Sequence, residues 1–215
     1  MQDTLLALVD DFKVFVMKGV QTLPLSIAGT LIVLGFGTAN YPMLFFLVGM
    51  LFVAPLFPFI INLFVADDSW KVPGCGIVPG LDNYVISQWV VMVCFFFGYM
   101  LWNAISMAQM QPTDSADTEK ATLRKSQCWM GVAVIGFCIV CVGITRILGG
   151  CMGGTATRWI LSLLFAGLSF GAGIGWYALL NTSASGRLAD LFGIANRLLS
   201  PSAFVNEPVG CVPVA

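Results

Sequence analysis

Two cysteines spaced three apart, Cys138 and Cys141 in Phe137-Cys138-Ile139-Val140-Cys141, offer the most explicit chemistry in this chain. A C-x-x-C pair on a helix can cycle between dithiol and disulfide. The same two residues, with Cys94, lie inside long apolar runs and read equally as small hydrophobes. Cys75 in Pro-Gly-Cys-Gly and Cys151 in Gly-Gly-Cys-Met-Gly-Gly sit in turn-rich loops. A disulfide between them would mark an oxidising compartment, and free thiols are the alternative. The chain has no histidine, which removes the commonest general base and the commonest metal ligand. No phosphate loop, zinc spacing, nucleophile elbow or carboxylate pair is present, and a histidine-dependent lipid phosphatase is excluded. No catalytic, cofactor or metal site is expected, and the chain reads as a non-enzyme.

The elements that must position these residues are transmembrane helices. Of 215 residues, 58% are hydrophobic and 10% charged, against about 25% charged in a soluble domain. A water-soluble fold of this size leaves too much surface to hide so much apolar material. The net charge of −1 gives no field to attract nucleic acid. Residues 19–66, 83–113, 126–145 and 159–186 contain no Asp, Glu, Lys or Arg. A span needs about 20 apolar residues, so the first run holds two, separated by Thr38-Ala39-Asn40-Tyr41-Pro42. The expected fold is an all-α polytopic bundle of about five spans, at 22–38, 42–66, 85–108, 127–148 and 158–180.

Interfacial amphipathic helices are expected at both ends. Residues 1–18 place Leu5, Leu8, Val9, Phe12 and Val16 on one face. In 181–215, Leu188, Leu191, Phe192, Ala195, Leu198 and Leu199 share a face before Ser200-Pro201 and a Pro-containing tail. The transmembrane domain fills 19–180. Pro55 and Pro58 predict a kink in span two, read either as packing or as a hinge. Asp114 or Ser115 is a candidate cap in the polar 109–126 segment. Gly167, Gly171 and Gly175 repeat every four residues, with Gly173 between, and predict close helix packing. Their partner is read as span four, through Gly131, Gly136 and Gly143, or else another subunit.

Polar groups at membrane depth are sparse. Asn62, Gln88, Asn103 and Arg146 all fall near the expected span ends, with Arg146 free to snorkel or to pair with Asp67, Asp68 or Asp82. No ionisable residue falls at mid-bilayer, which argues against a proton or ion pathway; a pore lined by carbonyls leaves no such trace. With five spans each side of the membrane carries five Lys or Arg, so charge does not orient the chain.

Two short stretches resemble known families. The C-x-x-C at 138–141 resembles the redox pair of the vitamin K epoxide reductase family, which implies thiol-dependent quinone reduction. That family also carries loop cysteines after its first span; here the turn at 38–42 has none, and a fifth span follows. The stretch 186–201, Gly186-Arg-Leu-Ala-Asp-Leu-Phe-Gly-Ile-Ala-Asn-Arg-Leu-Leu-Ser-Pro, resembles the tails of small multi-pass minor capsid proteins of large algal DNA viruses. That resemblance implies a virion protein linking an internal membrane to the capsid shell. The functional expectation is a structural membrane protein that organises a bilayer within a larger assembly, in a virion internal membrane or an organellar one. Its partners would be lipid and neighbouring subunits such as capsid proteins, without nucleic acid. A small channel or carrier is the alternative, and a thiol–quinone oxidoreductase ranks below both.

Overall fold

The computed structural model describes residues 2–64, 87–109, 118–148, 156–182 and 191. The described residues are helical throughout apart from short turns, and none lies in a strand. Five stretches are long and apolar enough to cross a membrane: Asp10–Gly37, Tyr41–Ile61, Gln88–Gln109, Lys125–Leu148 and Trp159–Thr182. The five-span all-α architecture expected from the charge-free runs is therefore present.

The first helix, α1 (Gln2–Gly37), differs from the expectation of a separate interfacial helix ending near residue 18. It runs unbroken for 36 residues, about 54 Å at 1.5 Å per residue, well beyond a hydrocarbon core of about 30 Å. No glycine pair or proline interrupts 18–22, so the amphipathic stretch continues directly into the span. Leu8, Phe12 and Phe15 remain exposed.

The turn at 38–40 reverses the chain. Ala39 takes a positive φ of 50°, a conformation that costs a residue with a Cβ. Helix α2 (Tyr41–Val48) follows, opened by Pro42 in its first turn, where a missing N–H costs nothing. A π-helical turn, Gly49–Val53, then leads into α3 (Ala54–Phe64). The Ala54 N–H reaches back five residues to the Gly49 carbonyl. This wide turn comes directly before Pro55, whose ring would otherwise crowd the carbonyl four residues back. Pro58 is buried within α3. The expected irregularity in span two thus takes the form of a π-turn ahead of the prolines.

Helix α4 (Gln88–Gln109) is the hub. It packs along α6 (Ala156–Thr182) on one side and α5 (Thr118–Leu148) on the other, and it also meets α1 and α3. The principal neighbour of α5 is α4, not its sequence neighbour α6. Helix α5 begins inside the segment read as a polar loop, two turns ahead of its apolar span.

The surface is apolar. Met130, Val134, Phe137, Ile144 and Leu148 form an outward stripe on α5, with Phe137 69% exposed. Phe36, Phe52, Phe64 and Ile160 are similarly bare on other helices. In water such patches would drive aggregation; against acyl chains they carry no penalty. Span length and exposed surface together define an integral membrane helix bundle.

Candidate functional site

The tightest part of the molecule is the α4–α6 crossing. Ser169 Oγ donates to the Val91 carbonyl at 2.6 Å, across 78 residues of sequence. One and two turns on, Gly173 lies against Phe95, and Tyr177 meets Tyr99 edge to face at 5.4 Å. The same sequence offset holds for all three pairs, so the helices run parallel in fixed register. Glycine is required on both sides. A Cβ on Gly98 would overlap the Phe170 carbonyl oxygen, and one on Gly173 would overlap that of Phe95. The obstructing atoms are backbone and cannot rotate away. Such close approach gains dispersion and weak Cα–H···O contacts, which replace the missing hydrophobic drive between helices in lipid.

Gly167, Gly171 and Gly175 are not part of this crossing. A Cβ on any of them, or on Gly131, Gly136 or Gly143 of α5, meets nothing within 4 Å among the described residues. The expectation that the stripe packs on span four is corrected: α6 turns Ser169, Gly173 and Tyr177 inward toward α4, and the opposite stripe outward. The small-residue signal that packs within the chain is Ser169-x-x-x-Gly173 against Gly98.

Two tryptophans repair or exploit irregular backbone. Pro24 has no N–H to give the Val20 carbonyl four residues earlier. The indole of Trp89 takes that role, donating from Nε1 to Val20 O at 2.9 Å and tying α4 to α1. On the same ring, Arg146 stacks with its guanidinium carbon 4.0 Å from the centroid. Arg146 is only 6% exposed, and its Nη2 donates to Ser87 Oγ at 3.3 Å. The expected snorkelling is therefore replaced by burial at the α4–α5 interface; Asp67, Asp68 and Asp82 lie outside the described residues. Trp176 of α6 donates to the Phe45 carbonyl at 3.2 Å, and a Cβ on Gly49 would come within 2.5 Å of its Nε1. Phe46 of α2 packs on α4, tilted against Tyr99 at 4.3 Å and against Phe96 at 5.7 Å, and stacked on Phe95 at 6.3 Å.

The C-x-x-C pair is unbridged: Cys138 and Cys141 are free thiols, half-buried on α5. Cys138 packs against the Trp89–Val93–Phe97 cluster, and it sits about 15 Å from the Leu148 end at the helical rise. Cys94 and Cys128 are free as well. Cys75 and Cys151, and with them the proposed disulfide, lie outside the described residues, as do the Asp114 and Ser115 caps and, apart from Leu191, the C-terminal amphipathic stretch. Among the described residues no group of three or more Cys, Asp or Glu is placed to hold a metal.

Asn103 is a buried polar residue in the body of a span. It is 4% exposed, and its Oδ1 accepts no hydrogen bond. One turn before it, Met100 lines an open-sided pocket of about 270 Å³ between α1, α2 and α4. Leu31, Met43, Phe46 and Phe96 line its depth, and Ser26 and Thr30 its α1 side. The Thr30 hydroxyl is tied to the Ser26 carbonyl at 2.8 Å. Leu191 also lines it.

No protein-family model, curated protein or solved structure matches this chain. Its class rests on the geometry above: a five-span helical membrane protein with an α4-centred core.

Proposed function

We propose that this protein is a structural membrane protein that organises a bilayer within a larger assembly, with the outward face of α6 as its main docking face. The observation that carries the reading is the placement of Gly167, Gly171 and Gly175 on that face, where an added Cβ would meet nothing within 4 Å among the described residues. Leu163, Leu164 and Leu168 flank the stripe and are exposed. Small residues every four positions permit another helix backbone to approach closely, and the chain's own close crossing uses the other side of α6. The exposed apolar stripe of α5 offers a second surface to lipid or to a neighbour. The resemblance of 186–201 to tails of algal-virus membrane proteins makes a capsid shell over an internal virion membrane one such assembly, and an organellar complex another. Crosslinking in intact membranes tests the proposal: adducts to a neighbouring protein are expected, and a chain recovered only as a monomer contradicts it.

One observation favours the second reading, a small carrier. Asn103 Oδ1 is a buried acceptor awaiting a donor, and unsatisfied polar groups at membrane depth often belong to transport paths. Purified protein in liposomes that passes no small solute would remove this support.

A further inference from the structure

We infer that the open-sided pocket between α1, α2 and α4 is a lateral lipid site that holds one acyl chain of a bilayer lipid. Its mouth lies on α1, where Ser26, Thr30 and Leu34 are exposed. Its floor is Met43 and Phe46 of α2, 8% and 0% exposed. Leu191 adds to the lining, its carbonyl accepting a hydrogen bond from Asn40 Nδ2 at 2.8 Å. All three helices belong to membrane spans, so the mouth opens sideways into the bilayer. Leu25, Val33 and Phe36 continue the exposed apolar surface of α1 around it. Leu34 and Ser26 lie about 5 Å and about 16 Å along the helix from Gly37, where the span ends. One leaflet of a hydrocarbon core of about 30 Å has the same depth, about 15 Å. The site is separate from the α6 face and does not depend on the docking proposed there.

Size and polarity select the occupant. A neighbouring helix is about 10–12 Å across with its side chains, far too wide to enter a pocket of about 270 Å³. Water needs about two to four polar partners. Apart from Ser26 and Thr30 the described lining is apolar, and the Thr30 hydroxyl proton is spent on the Ser26 carbonyl at 2.8 Å. A polymethylene chain is thin enough and asks for no hydrogen bond, and the surrounding bilayer supplies it at the right depth. Moving it from lipid into the pocket gains no hydrophobic energy, because lipid tails are as apolar as leucine. The gain is dispersion: a pocket left empty forfeits the contacts of its lining, and a chain restores them. Met43 and Met100 suit a flexible guest, since an unbranched thioether adapts to irregular contours. Among the described residues no charged side chain lines the pocket, so the site takes a chain and does not select a headgroup.

Photolabelling of the full chain in phosphatidylcholine vesicles tests this. The probe is a phosphatidylcholine with a diazirine midway along one acyl chain, and mass spectrometry maps the adducts. Met43 and Phe46 are expected to be labelled at least about fivefold more than Val93, which is 2% exposed and belongs to the separate α4–α5 cluster. Exposed Phe137 on α5 reports ordinary contact with lipid. Thr30→Trp and Leu34→Trp place a bulky ring at the mouth, and each should cut labelling of Met43 and Phe46 at least about fivefold while Phe137 keeps its adducts. Thr30→Val leaves the mouth open and should keep the floor labelled. In the native protein, labelling of Met43 and Phe46 no higher than that of Val93 overturns the site, whether the pocket is filled by another part of the chain or stays empty. Floor labelling that falls in neither tryptophan variant also overturns it, because the chain would then not enter through α1.

Discussion

Replacing Gly173 with alanine puts a methyl group where the α4 backbone already is. The new Cβ would overlap the Phe95 carbonyl oxygen and lie 2.9 Å from the Tyr99 nitrogen and 3.1 Å from the Phe95 carbonyl carbon. None of these atoms can rotate aside, so α4 and α6 must separate by about 1 Å, and a gap of that size forfeits up to half of each dispersion contact across it. The Ser169–Val91 hydrogen bond and the Tyr99–Tyr177 pair lie one turn to either side and share the displacement. Overpacking of this kind costs about 2–3 kcal/mol, which is roughly a 30- to 150-fold loss in the folding equilibrium. Gly171→Ala, two residues away, meets nothing within 4 Å among the described residues. It should be neutral or stabilise by up to about 1 kcal/mol through helix propensity. Reversible unfolding in mixed micelles, followed by tryptophan fluorescence and circular dichroism, measures both. A Gly171→Ala variant destabilised as much as Gly173→Ala would refute the parallel α4–α6 register.

Trp89→Phe should cost about 1–3 kcal/mol by leaving the Val20 carbonyl without a donor. Combining it with Pro24→Ala, which restores a backbone N–H, should shrink that cost in a double-mutant cycle; full additivity would speak against the repair. Arg146→Lys keeps the charge but loses the planar stack on Trp89, so a drop of about 1 kcal/mol or more is expected in the same unfolding assay. Asn103→Leu removes an acceptor that has no partner and should be neutral or stabilising by about 1 kcal/mol; strong destabilisation would mean that the side chain is bonded in the membrane.

The spans were legible because lipid imposes a coarse rule, about 20 residues without charge, and the runs between charges obey it. The junction of the N-terminal stretch with span one was not legible, since nothing in 18–22 forces a break and a helix continues by default. The α6 glycines show a different limit. Period-four spacing marks Gly167, Gly171 and Gly175 as a stripe, but which stripe turns inward depends on Gly98, in another helix. A single small residue in α4 matters only once its partner is known. The Trp89 repair had a sequence signal, Pro24 in a predicted span, yet the donor lies 69 residues away in sequence. The Asn40–Leu191 contact could not be read at all, because Asn40 looked like an ordinary turn residue.

Docking of a neighbouring protein on the outward face of α6, as proposed, can be tested directly. A photo-crosslinking residue placed at Leu168, which flanks the glycine stripe, tests it in intact membranes beside a control at Phe59 of α3; both native side chains are exposed. A discrete protein adduct that Gly171→Leu abolishes is expected from position 168, with lipid adducts at position 59. Lipid adducts alone at both positions would contradict it.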